Sequence, residues 1–195
     1  MKWIGLSGGL ASGKSTVSTI LRQRGYQVVD ADQVARDVLQ KGTIGLKKLV
    51  EVFGSELLGS NGELNRDKMA ERVFSSKEEL KKLEMIVHPL VQEKVRNIRK
   101  SLEEKNEKIA FYDVPLLFEK NLESQFDATI LVFASETLQK SRMKSRNNWS
   151  DAEIQSRLSA QIPMNEKLKK AKWVLKNEGT IADLEKQVDE LLGKL

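Results

Sequence analysis

Gly8-Gly9-Leu10-Ala11-Ser12-Gly13-Lys14-Ser15 has the spacing G-x-x-x-x-G-K-[ST] of a phosphate-binding loop. Each position has a physical task. Glycines let the backbone curl until several N–H groups point at one spot, a nest for phosphate oxygens. A helix opening at Lys14 aims its positive dipole end at the same spot. Lys14 adds a full charge for β- and γ-phosphates, Ser15 offers a hydroxyl to Mg²⁺, and Thr16 offers a contact to an α-phosphate. Gly8 to Thr16 is therefore the expected seat of a nucleoside triphosphate with its Mg²⁺. The four fixed positions arise by chance in about one chain in a hundred of this length. A preceding strand and a following helix favour the nucleotide reading over an ordinary glycine-rich turn. No D-x-x-G switch or N-K-x-D base-reading motif accompanies the loop, and 195 residues are few for a motor or a helicase. A small-molecule kinase fits best.

Asp30-Ala31-Asp32 with Arg36 is the second cluster. The carboxyl end of a second strand is where a doubly wound sheet places ligands. Strand alternation there would point both carboxylates to one side. One of them can accept the proton of an acceptor hydroxyl during phosphoryl transfer. The structural reading stands beside this: an aspartate capping the next helix, with Arg36 as the i,i+4 partner of Asp32. Arg142 and Arg146 lie one turn apart. They are either phosphate contacts or part of a solvated basic face with Lys140 and Lys144. Arg157 is placed to pair with Glu153. His88, the single histidine, is a substrate contact or a capping and packing group.

The elements that must position these groups alternate. Trp3–Leu6, Val28–Val29, Ile109–Val114, Thr129–Phe133 and Trp173–Leu175 read as strands, with helical periodicity in each long gap. That pattern predicts an α/β fold with a mostly parallel sheet covered on both faces. The gap from Gln33 to about Lys108 exceeds one crossover helix and reads as a helical insertion. In it, Leu46, Leu49, Val50 and Phe53 form one stripe, Asn61-Gly62 a turn, and Ser76 to Glu79 a capping box. Pro89 reads as the first position of a separate helix. Residues 136–170 are a second helical segment, with a capping box at Ser150–Glu153 and a break at Pro163. A last helix starts near Thr180.

Composition narrows the chemistry further. Without cysteine there is no disulfide, thiolate metal site or cysteine nucleophile, and one histidine excludes a multi-histidine metal site. The net charge of +5, with 33 basic and 28 acidic side chains interspersed, suits a small phosphate-bearing ligand better than nucleic acid. No apolar run reaches membrane-spanning length and no signal-peptide pattern opens the chain, so a cytoplasmic protein without a membrane partner is expected.

The pattern Gly5-Leu6-Ser7-Gly8-Gly9, Ser12-Gly13-Lys14-Ser15, Asp30-Ala31-Asp32 with Ala35-Arg36 resembles the dephospho-CoA kinase family. The likeness continues through Phe53-Gly54, Gly62-Glu63-Leu64-Asn65-Arg66, Val73-Phe74, Leu83-Glu84 with His88-Pro89, and Val114-Pro115-Leu116-Leu117-Phe118-Glu119. It ends with Arg157, Gln161 and Asn177-Glu178-Gly179. It implies a five-stranded parallel P-loop core (1–32, 108–135, 171–195), a helical CoA-binding domain (33–107) and a helical lid (136–170). It implies ATP-dependent phosphorylation of the ribose 3′-hydroxyl of dephospho-CoA, the last step of coenzyme A synthesis, with Mg²⁺. Asp32 matches the family's general base, and Arg142, with Arg146 as the alternative, its lid arginine. Arg36, Arg66, His88, Leu116 and Leu117 are the substrate contacts it suggests. Two positions depart from the pattern. Asn65 stands where many members carry aspartate, and Asp113 ends its strand as a Walker B acid would, but without a following glutamate. The rival readings are another small-molecule or nucleotide kinase on the same core, an ATP- or CoA-sensing module, and a nucleic-acid binder.

Overall fold

The computed structural model describes all 195 residues. Strands β1 (Lys2–Gly8), β2 (Gln27–Asp30), β3 (Ile109–Asp113), β4 (Ala128–Phe133) and β5 (Trp173–Lys176) form one sheet. Its order is β2-β3-β1-β4-β5 and every pairing is parallel. Helices α1 (Lys14–Gln23), α2 (Ala31–Asp37), α3 (Ile44–Phe53), α4 (Arg66–Phe74), α5 (Lys77–Glu104), α6 (Glu136–Asn147), α7 (Asp151–Ser159), α8 (Met164–Lys170) and α9 (Ile181–Leu192) complete the chain. The chain divides into two compact units, Met1–Asp30 with Asn106–Leu195, and Ala31–Lys105.

The first unit holds the sheet. β1 and β4 are almost entirely buried, as a parallel sheet covered on both faces requires. Its core joins Ile4, Leu6, Phe111, Ile130 and Leu175 of the strands to Val17 and Leu21 of α1 and Leu184 and Val188 of α9. The chain leaves β1 toward β2 on one side and crosses back to β4 on the other. The carboxyl end of β1 is thus the switch point at which such sheets bind ligands. The predicted capping box of Ser150 with Glu153 forms in full at α7, and a second one, Thr180 with Asp183, opens α9 where the sequence placed only a helix start. Hydrogen bonds from Ser150 and Thr180 hold the Glu153 and Asp183 carboxyls below their ordinary range. Pro163 is the N-cap of α8, so the break falls where proline placed it. Residues 136–170 pack within the sheet unit, with Met143, Ile154 and Lys167 buried.

The second unit is helical. Leu39, Leu49, Phe53, Leu57, Met69 and Val73 form its centre, flanked by Leu83, Ile86 and Val87 of α5. Gly62, at φ 75°, sits in the Asn61-Gly62 turn that brings Leu58 and Leu64 into an antiparallel bridge. Three expectations need correction here. Pro89 does not start a helix: α5 runs through it unbroken for 28 residues. The carbonyl deprived of its N–H partner belongs to Met85, one turn earlier, which is 68% exposed, so water can serve it. The capping box at Ser76 is only half made. Ser76 accepts from the Glu79 N–H, but the Glu79 carboxylate turns to Lys82 and Arg72, whose hydrogen bonds hold it below its usual range. Asp32 does not continue the strand of Asp30. It lies in the first turn of α2, so strand alternation does not relate the two carboxylates.

Phe111 is fully buried at the centre of the sheet, with the Tyr26 ring edge-on to it at 5.7 Å. Phe111→Ala should lower the unfolding free energy by about 3–5 kcal/mol in a urea titration. A loss below about 1 kcal/mol would show that the sheet core does not carry the fold.

Candidate active site

The phosphate loop is built by close approach. β1 ends at Gly8, beside Val132 of β4, and α1 begins at Lys14. Gly13 has φ 93°, and a Cβ there would stand 1.9 Å from Asn177 Nδ2. At Gly9 it would meet the Met164 methyl at 2.6 Å, and at Gly8 the Ser12 hydroxyl at 2.5 Å. Ala11, also left-handed at φ 53°, bends the chain between Leu10 and Ser12. Ser12 N–H donates to Gly9 O at 3.1 Å and Thr16 N–H to Gly13 O at 3.0 Å. No side chain caps α1 and no acid lies in its first turn, so the dipole end faces the loop unopposed.

Two side chains hold the loop from outside. Asn177 Nδ2 donates to Ser12 O at 2.8 Å. Arg142 donates to Ala11 O at 3.3 Å and to Asn177 O at 3.0 Å. Arg142 thus reaches the loop, whereas Arg146 is exposed in the last turn of α6. Lys140 and Lys144, the other members of the expected basic face, pair with Glu136 and Asp151. Arg157 does not pair with Glu153. Its guanidinium lies 4.1 Å over the Trp149 ring, since Glu153 is engaged in the capping box.

Lys14 forms an ion pair with Asp113, which ends β3 and is 2% exposed. Ser18 Oγ donates to the other carboxylate oxygen at 2.8 Å. Asp113 therefore acts on the lysine and α1 directly. Ser15 follows Lys14 on the first turn of α1 and is exposed. No cluster of three or more His, Asp or Glu side chains is present to hold a metal ion. This donor set suits Mg²⁺ bound chiefly through phosphates and water, with one hydroxyl from the protein.

In the helical unit, Asp32, Arg36, Arg66 and His88 come from three separate stretches of sequence and line one cavity of about 350 Å³. Arg66 Nη2 donates to the Arg36 carbonyl at 3.4 Å. Leu39, Leu83 and Val87 give the cavity an apolar wall, and Glu84 adds a second carboxylate. Sequence reasoning did not assign Glu84, though its i,i+4 spacing to His88 on α5 was the available signal. Asn65, where aspartate was expected, accepts from the Lys68 N–H as N-cap of α4. A neutral amide serves that role as well as a carboxylate. Of the two leucines expected at the substrate, Leu116 is 42% exposed and Leu117 is fully buried. Leu117 belongs to the core: its Cδ1 lies where a side chain on Gly5 would begin.

The model of the dephospho-CoA kinase family matches residues 2–183. The chain belongs to that family. It is 45% identical over 192 residues to the dephospho-CoA kinase of Bdellovibrio bacteriovorus, covering 98% of this chain and 95% of that one. Among solved structures, a Thermus thermophilus protein superposes with a TM-score of 0.83 at 37% identity, over 100% of this chain and 97% of its own. The dephospho-CoA kinase of Campylobacter jejuni gives 0.75 at 28% identity, over 98% and 96%. Family membership makes the chain a kinase with ATP as its co-substrate. No helix is long and apolar enough to cross a membrane.

Gly13→Ala places a methyl group against Asn177 and in a backbone region hostile to side chains. It should weaken ATP binding by about tenfold or more in calorimetric titration, with the far-ultraviolet dichroism unchanged. Wild-type affinity would mean that the loop tolerates displacement from Asn177.

Proposed function

We propose that this chain transfers the γ-phosphoryl group of ATP to the ribose 3′-hydroxyl of dephospho-CoA, giving coenzyme A and ADP, and that Asp32 is the general base. The acceptor is that of the family to which the chain belongs, and the observation that supports it in this structure is the convergence of Asp32, Arg36, Arg66 and His88 on a single cavity with an apolar wall. A cavity with two guanidinium groups suits the diphosphate of such a substrate, and its leucine and valine wall suits an aliphatic arm. Leu116, exposed in the turn after β3, is the remaining apolar candidate for the substrate.

In this reading the N–H groups from Gly8 to Thr16 and the Lys14 ammonium bind the triphosphate. Mg²⁺ held by Ser15 would neutralise developing charge on the β- and γ-oxygens. The Asp32 carboxylate takes the proton as the acceptor oxygen attacks the γ-phosphorus and the bond to the β-phosphate oxygen breaks. Arg142 adds positive charge at the loop, and the segment 136–170 acts as a lid that excludes water. Positioning and electrostatics supply most of the rate gain, because the protein forms no covalent bond with the phosphoryl group.

The first test is ADP release from ATP·Mg²⁺ with dephospho-CoA, beside AMP, CMP and a control without acceptor, the product weighed for one added phosphoryl group. Turnover confined to dephospho-CoA is expected. Turnover only with a nucleotide would keep the kinase and discard the acceptor, and ATP binding without turnover on any acceptor would favour a sensing module. Asp32→Asn should lower kcat by about 10²–10⁴-fold with ATP affinity nearly unchanged. Near-normal turnover of that variant would remove Asp32 as the base. Arg66→Ala should raise KM for dephospho-CoA by about tenfold or more and leave KM for ATP alone.

A further inference from the structure

Lys167 is 1% exposed, an unusual place for an ammonium group. Its Nζ forms an ion pair with Glu119, whose side chain is 11% exposed, and donates to Gln161 Oε1 at 3.2 Å. Both Glu119 carboxylate oxygens are buried without a well-aligned hydrogen bond, so charge attraction alone holds them. Burying two charges is costly before their attraction is counted, and an apolar pair of the same volume often serves stability equally well. Stability is therefore a poor reason for this pair, and its location supplies a better one.

Lys167 is the middle of three α8 residues spaced three apart: Met164, Lys167 and Lys170. That spacing puts them along one face of the helix. Lys170 donates to Asn121 Oδ1 at 2.6 Å and to Phe118 O at 3.4 Å, and pairs with Glu123. Met164, at the other end, covers Gly9 of the phosphate loop, its methyl lying 2.6 Å from where a Cβ on Gly9 would be. Gln139 of α6 stands against the same glycine, its amide 3.2–3.3 Å from that position. The seven-residue helix is therefore a strut. One end is fixed by charge to the segment Phe118–Glu123 after β3, and the other rests on the backbone that is to bind phosphate.

We propose that Lys167 is a positioning residue for the nucleotide: paired with Glu119, it fixes the register of α8 so that Met164 holds the Gly9 side of the phosphate loop. A buried lysine gives this control because sliding α8 by one residue would leave both charges unpaired in the core. An apolar contact would tolerate the slide. The inference rests on the reading of the chain as an ATP-using kinase, and it concerns the donor side alone.

Three variants test it, by calorimetric titration with ATP and by steady-state kinetics with dephospho-CoA on the same preparations. Lys167→Met leaves Glu119 buried and unpaired, so it should melt earlier and bind ATP about tenfold more weakly. Lys167→Met with Glu119→Gln removes both charges. It should regain most of the melting temperature yet keep the raised Kd and KM for ATP, with KM for dephospho-CoA within about twofold of wild type. Met164→Ala should fold normally and weaken ATP binding by about threefold or more. A double variant that recovers wild-type ATP affinity together with its stability would overturn the proposal, since the pair would then be packing only. So would wild-type ATP affinity in Met164→Ala. If Lys167→Met does not fold, the other two variants decide. Wild-type protein that binds ATP but leaves dephospho-CoA unmodified would sink the acceptor assignment and leave the binding comparison intact.

Discussion

The buried carboxylate of Asp113 is the constraint on which the nucleotide site depends. It closes β3, in register with Leu6 of β1 and Asp30 of β2, and it takes both Lys14 and Ser18 of α1. A carboxylate 2% exposed is costly to bury unless it is paired and hydrogen-bonded, and it receives both. The ion pair and the hydroxyl bond come from residues four apart, one turn of α1. That turn is thereby fixed over the carboxyl ends of β1 and β3, and the helix dipole with it. The loop between Gly8 and Lys14 then has both its ends set, and its glycines meet the short span with tight backbone.

The loop is further stiffened by groups far off in sequence. Asn177 follows β5 and Arg142 lies in α6, yet both bond to loop carbonyls. Directing donors at the carbonyls Ala11 O and Ser12 O fixes the loop's peptide planes from behind. Electrostatic preorganisation requires such fixity, because a dipole that must turn during the reaction loses much of its effect. The helical unit follows another plan. Its cavity is formed by side chains spaced four apart on α2 and on α5, and by Arg66 at the start of α4. Regular helices shape this cavity, whereas an irregular loop shapes the nucleotide site.

Much of this was legible in the residues. Gly13, Lys14 and Ser15 fall where strand, loop and helix were expected, because their constraints are local: backbone freedom, charge and a helix start. Ser150 and Thr180 cap their helices for the same reason. The departures come from tertiary context. Pro89 sits inside α5 because the apolar residues on either side of it continue one half-buried face, and packing outweighs a lost hydrogen bond on the wet side. Asp32 turned out to be helical because the strand stops at Asp30. Sequence periodicity cannot distinguish the last strand residue from the first helical ones over three positions. Leu117 is core and Leu116 exposed, although neighbouring leucines look alike in a sequence. Lys167, in a run of lysines, carried no signal of burial, since its partner Glu119 lies 48 positions away.

Arg142 shows how one side chain serves both structure and charge. A guanidinium has five N–H donors in a fixed plane and always carries its charge. Two nitrogens are engaged, Nη1 with Ala11 O and Nη2 with Asn177 O. Each nitrogen bears two hydrogens, so these bonds use two donors and leave three. A lysine in this place would fix the loop less well, since an ammonium has no plane to align with two carbonyls. Holding the loop and facing an anion are therefore compatible tasks, and the first assists the second. The carbonyls orient the guanidinium before any phosphate arrives, so little side-chain freedom remains to be lost on binding. Arg146, exposed one turn further along α6, has no such orientation and would have to be ordered by the ligand itself. The same helix thus offers one arginine already in place at the loop and one that is not.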